Sequence, residues 1–226
     1  MDFRKDTFHK RTQVRTPRFT EKGRSPVPEL TPLPSGALTT ETALREAVEA
    51  SRRRAKSEPS EGLPELAASC VALADRLKEA GEIDQAEKFY CEALDIYKDL
   101  AARKPVLWEP ETARVSGKLG ILLSGSERVK AAEWFHRVAV DSWRKLAERS
   151  PERFDPDVAE SCFALGLFLF QEKQEGAKDL FQEAYALYNR YPRFSEDTER
   201  VRRVLEKFFP EELPEEKNVE TDSHAS

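Results

Sequence analysis

Three histidines and three cysteines are the residues best suited to catalysis or metal binding in this 226-residue chain. His9 and His224 lie near the two ends and His136 falls in a helical stretch, so spacing alone brings no pair together. An odd number of cysteines without C-x-x-C spacing suggests neither a disulfide framework nor a zinc site, and it fits a reducing, cytoplasmic setting. Nucleophilic catalysis needs a base held beside the nucleophile, and no such pairing is visible. Phosphate-loop, dinucleotide-loop and H-E-x-x-H patterns are missing, and carboxylate pairs such as Glu172 and Glu175 read as solvated helix ends. We therefore expect no catalytic residue, no metal and no cofactor, and a chain that is not an enzyme.

The elements that would carry any site repeat at a fixed period, which overrides local readings. "KDLAARKPVLWEPETARVSGKLG" from Lys98 aligns without a gap on "RKLAERSPERFDPDVAESCFALG" from Arg144, an offset of 46. Leu100/Leu146, Pro105/Pro151, Trp108/Phe154, Pro110/Pro156, Leu119/Leu165 and Gly120/Gly166 are among the matches. A weaker copy one period earlier contains Pro59, Pro64, Ala67, Leu73 and Ala74. Cys70 and Cys162 fall two periods apart, at a place where a small apolar residue packs.

Within a unit the apolar spacing is helical. Cys70, Leu73, Ala74 and Leu77 form one stripe, "EAGEID" interrupts it, and Ala86, Phe89, Tyr90, Ala93, Leu94 and Tyr97 form a second. Each unit is thus two helices and a turn, with Ala74, Gly120 and Gly166 letting the helices approach and Tyr90 and Phe181 filling the space beside them. Asp155-Pro156-Asp157 predicts a cap, a first-turn proline and a first-turn acid, so that a helix would begin there.

These residues resemble the tetratricopeptide repeat family in its long-period form. The resemblance rests on Leu119-Gly120, Leu165-Gly166 and Leu73-Ala74, on the alanines Ala86, Ala132 and Ala177 that open the second helices, on Tyr90 and Phe181, and on Ala93, Ala139 and Ala184. It covers about residues 40 to 192. His136 replaces the aromatic in the middle unit, and the third turn is one residue short. The resemblance implies an all-α, right-handed α-solenoid of about eight helices, non-catalytic, holding a peptide or helix of a partner protein in a concave groove. Where family members grip a chaperone's terminal carboxylate with basic side chains, the matching places here are Val71, Asp75, Lys118, Glu160 and Ala164, of which Lys118 alone is basic; chaperone-tail binding is not implied.

The expected organisation is a basic, proline-rich tail at 1–38, a helical repeat domain at 39–210 and an acidic tail at 211–226. Inside the domain we expect an orphan helix at 40–57, repeats at about 64–104, 110–150 and 156–192, and a capping helix at 196–209. Residues 1–24 hold eight basic residues against three acidic ones, and 211–226 hold six acidic against one basic. Such tails read as solvated disorder. The basic one offers an alternative function, binding nucleic acid or an anionic surface with Phe3, Phe8 and Phe19 as stacking groups, or occupying the groove as an autoinhibitory segment. The N-terminal stretch lacks the apolar run of a signal peptide, so no membrane partner is expected.

One stretch stands out against a mean hydropathy of -0.67: "SCFALGLFLF", Ser161 to Phe170. It is too short for a bilayer span, which takes about 20 apolar residues. Cys162, Leu165 and Leu169 match the buried stripe of the first unit, whereas Phe163, Leu167 and Phe170 lie on another face, the one that lines the groove in the resembled family. With Ile121, Arg114, Lys118 and Lys78 they make the expected partner-binding set. The competing reading covers that face with the C-terminal helix through Val204 and Phe208. The sequence leaves the partner's identity and the oligomeric state open.

Overall fold

The computed structural model describes residues 41–210, and the expected tails at 1–38 and 211–226 lie outside them. Among the described residues there are eight α-helices and no strand. They are α1 (Glu41–Ser57), α2 (Pro59–Glu79), α3 (Ile83–Arg103), α4 (Pro105–Leu123), α5 (Val129–Arg149), α6 (Pro151–Gln171), α7 (Ala177–Asn189) and α8 (Ser195–Phe208), with a 3-10 turn at Pro192–Phe194 before α8. Each helix packs on the next in chain order, so the chain is an all-α solenoid of helix pairs. Three pairs (α2/α3, α4/α5, α6/α7) stand between an unpaired second-type helix, α1, and an unpaired first-type helix, α8.

The first helix of each pair starts five residues earlier than the sequence suggested. Pro59, Pro105 and Pro151 each stand at the first helical position, where the missing N–H is no loss and the fixed φ suits the helix. Pro64, Pro110 and Pro156 lie inside the helices. Each leaves one carbonyl, four residues back, without its helical donor; in α6 that carbonyl belongs to Glu152, and Arg193 donates to it at 3.2 Å. Asp155 is consequently no cap. It is buried within α6 and accepts hydrogen bonds from Arg190 (3.1 Å) and Tyr191 (2.9 Å). The short third turn is accommodated by Lys173 (φ 55°) and Gly176 (φ 90°) in left-handed conformation.

Each pair is closed by a ring laid against a small residue. A Cβ built on Gly166 would come within 2.8 Å of Phe181, and one on Gly120 within 2.8 Å of His136. The tightest approach is between α1 and α2, where a Cβ on Gly62 would lie 2.4 Å from the backbone nitrogen of Ala55. Backbone cannot yield as a side chain can. Gly62→Ala is therefore expected to destabilise the chain by about 3 kcal/mol, the upper end of ordinary overpacking, despite alanine's better helix propensity; a urea titration measures it.

Successive pairs are joined by aromatic contacts at equivalent places. Tyr97 meets Trp108 at 5.8 Å, Trp143 meets Phe154 at 5.9 Å, and Tyr188 meets Phe194 at 5.7 Å between ring centroids. In the last joint the aromatic partner is Phe194, which immediately precedes α8 and does not lie inside it, and α8 packs on α7 as the first helix of an incomplete fourth unit. Its outward side carries Arg202, Arg203 and Glu206, the polar finish that an open solenoid end requires. The same logic holds for α1, in which Leu44 and Val48 are buried while Glu46 and Glu49 face outward.

Candidate functional site

The expected partner-binding face is largely interior. Phe163 is 4% exposed; the Arg200 guanidinium of α8 lies 4.6 Å above its ring and Phe181 of α7 lies 5.6 Å away. Leu167 is half-buried against the C-terminal core, and Phe170, 38% exposed, packs on Phe208 and Phe209 at 4.6 and 6.1 Å. The C-terminal helix therefore covers the apolar face, which corrects the assignment of Phe163 as a binding residue. What stays open is a lower strip: Ile121 and Leu167 half-buried, Phe170 and Phe208 more exposed, and Lys78 half-buried at the end of α2. Burial lowers the Lys78 ammonium below its ordinary range.

The two expected cations of the face are engaged inside the protein. Lys118 Nζ donates to Asp75 Oδ1 at 2.6 Å and to Oδ2 at 2.8 Å, and Asp75 also accepts the Tyr90 hydroxyl. Arg114 pairs with Glu111 and lies over the Trp143 ring at 5.7 Å. An arrangement like that at Asp75 recurs in the third pair, where Glu160 accepts the Tyr188 hydroxyl (2.6 Å) and Arg200 (2.7 Å). In each case a carboxylate on a first helix holds a tyrosine from its own second helix and a cation from the next first helix. Sequence reasoning missed this because Asp75 and Glu160 are not at equivalent repeat positions. Separations of 43 and 40 residues between partners were the available signal.

Between these two bridges, Asp157 of α6 is raised to about 6, mainly by burial, with Arg114 pulling it back down. Trp143 Nε1, Glu160 Oε1 and Arg200 Nε are buried without a hydrogen-bond partner among the described residues.

A serine and a histidine do come together, contrary to what spacing implied: Ser124 Oγ and His136 Nε2 are 2.9 Å apart. The protonation is wrong for nucleophile activation. Ser124 gives its single proton to the Gly120 carbonyl at 2.8 Å, so the histidine N–H donates to Oγ rather than taking a proton from it. His136 is 3% exposed, and burial lowers it to about 4, which keeps the ring neutral. Among the described residues no group of His, Cys, Asp and Glu is arranged to hold a metal ion.

The two equivalent cysteines have equivalent surroundings. Cys70 neighbours the Arg52–Glu92 pair (2.7 Å) and Cys162 the Arg144–Glu183 pair (3.0 Å through Nε), ties that bind α1 to α3 and α5 to α7. Burial pushes both thiols up to about 12. Cys91 is half-buried, and its thiol is raised too. Since the thiolate is the reactive form, iodoacetamide at pH 8 is expected to label Cys91 first and to leave Cys70 and Cys162 unmodified until the chain unfolds. Intact-mass spectrometry would show a single adduct.

No family model matches the chain, and no curated protein matches it. Among solved structures it is similar to the crystal structure of BtubC (BKLC) from P. vanneervenii, with a TM-score of 0.45 and 22% sequence identity, over 76% of this chain and 62% of that one. The chain thus spans less than two thirds of the BtubC chain. No helix among the described residues is long and apolar enough to cross a membrane.

Proposed function

We propose that this chain is a non-catalytic protein-binding scaffold of tetratricopeptide type, working in the cytoplasm, and that it holds a partner segment along the row of first helices. The observation that carries this reading is that Ile121 of α4, Leu167 and Phe170 of α6 and Phe208 of α8 are incompletely covered, with Phe170 packed on Phe208. Apolar side chains at such positions, rimmed by charges already paired to one another, suit the apolar anchors of a helix or an extended peptide. The paired charges at Asp75–Lys118 and Glu160–Arg200 hold adjacent first helices in register, so the strip is pre-formed and little ordering cost falls on binding. Burying each anchor would contribute about 1.5 to 3 kcal/mol.

The test uses the open residues, not Phe163. In a peptide-display selection against the full chain, enriched sequences should carry apolar anchors at helical or alternate spacing. Their binding should fall at least tenfold in Phe170→Ser/Phe208→Ser, with the circular dichroism spectrum retained. Peptides that bind both proteins equally would move the site elsewhere, and a failure to enrich any sequence would sink the reading.

A further inference from the structure

The fully buried apolar residues fall into two clusters. One cluster gathers the residues of α1 to α3 with Trp108, Val115, Leu119 and Leu122 of α4. The other gathers Ala113 and Leu123 of α4 with α5 to α8. Phe135 touches both from a half-buried position. Between them, inside the α4/α5 pair, lies His136, in the place that Tyr90 fills in the first pair and Phe181 in the third. Tyr90 belongs to one cluster and Phe181 to the other. Where an aromatic ring would complete the interior, the middle pair has a polar one.

We propose that the α4/α5 pair is a pH-gated hinge: acidification charges His136 and opens the seam between two halves of the solenoid that each stay folded. The surroundings of His136 are what make it a gate. From α4 it meets Gly120 and the Ser124 hydroxyl, and from α6 the Phe168 ring at 5.4 Å. Neither helix brings a carboxylate or a cation to it, since burial is the one influence on its ionisation. On α5 itself Glu133, half-buried, and Arg137, exposed, flank it, and they pair with each other at 2.8 Å. From α3 the tie to α5 is Glu87 with Arg128, at the first turn. Because Nε2 donates to Ser124, the added proton must go to Nδ1, which faces Gly120. A charge there is held away from bulk water in the closed state, where His136 is 3% exposed, and gains hydration when the pair parts.

The sign follows from linkage. Folded His136 titrates at about 4, below its ordinary 6.5, so the open form binds more protons between those values and closure weakens as pH falls through that window. The opening constant should rise about tenfold per pH unit below about 6.5. Asp157 works in the opposite sense, because its raised folded value favours the closed state as pH falls, and so a comparison with a His136 variant is needed.

The experiment is hydrogen exchange of the full chain from pH 7 to 4.5, corrected for intrinsic rates, on wild type and His136→Phe. Wild type should lose protection across 115–145 before α2–α3 and α6–α7 do, and the variant should lose this opening on acidification and keep only the opposite dependence that Asp157 supplies. His136→Gln, which also cannot charge, serves if the phenylalanine variant does not fold. Equal pH dependence in wild type and variant would overturn the proposal, as would simultaneous opening of every helix. This inference does not depend on which partner the scaffold holds.

Discussion

Replacing Phe163 and Leu167 together by serine is expected to unfold the C-terminal end of the solenoid. If the face were open, the same pair of changes would abolish binding and leave the melt intact. The structure reverses that expectation for Phe163, which is 4% exposed and has the Arg200 guanidinium of α8 and the Phe181 ring of α7 against it. Truncating a buried Phe costs about 3 to 5 kcal/mol, and placing a hydroxyl there adds a desolvation cost. Against a typical total of about 5 to 15 kcal/mol, little would remain. Because a repeat array loses stability locally, from neighbour to neighbour, the loss should begin in α6 to α8. Thermal circular dichroism should show a first transition at lower temperature that accounts for about those three helices. An unchanged melt would mean that α8 does not cover the face.

The second large effect is expected at an inter-pair joint. Trp143 is 1% exposed, stacks near Phe154 and carries Arg114 over its face. Trp143→Ala removes both contacts along with the buried ring and should cost about 3 to 5 kcal/mol. Trp143→Phe should be mild, since the indole N–H that it deletes makes no hydrogen bond among the described residues. The contrast with Tyr188→Phe is informative. There the hydroxyl donates to Glu160, and its loss strips a half-buried carboxylate of a donor at a cost of about 1 to 3 kcal/mol. Urea titrations of the three variants should rank them Trp143→Ala, Tyr188→Phe, Trp143→Phe. A severe Trp143→Phe defect would show that Nε1 has a partner after all.

The polar pairs carry a message about the proposed scaffold. Lys118 and Arg114, the cations of the expected partner-binding set, are committed to Asp75 and Glu111. A partner segment would have to displace these ties to use them. Selectivity would then rest on the shape of the strip at Ile121, Leu167, Phe170 and Phe208 more than on charge, and binding should depend only weakly on ionic strength.

The repeat was legible in the sequence because period and small-residue placement are local properties. Leu73, Leu119 and Leu165 recur where one helix must bury a stripe against the next, and all three are buried in the structure. The same holds for Gly120 and Gly166, where only a bare Cα leaves space for the facing ring, and for α1 and α8 as unpaired ends. The helix starts were misread because Asp-Pro-Asp carries the chemistry of a cap, while the competing Pro59, Pro105 and Pro151 carry it five residues earlier; which proline wins depends on what receives the freed carbonyls, and Arg193 lies 41 residues away from the one at Glu152. The covering of Phe163 was equally invisible. Periodicity assigns a residue to a face, but whether that face meets solvent depends on how many further helices the chain folds back over it. Only the tertiary contact of α8 with α6 and α7 decided that, as it decided that His136 would stand between two separate apolar clusters.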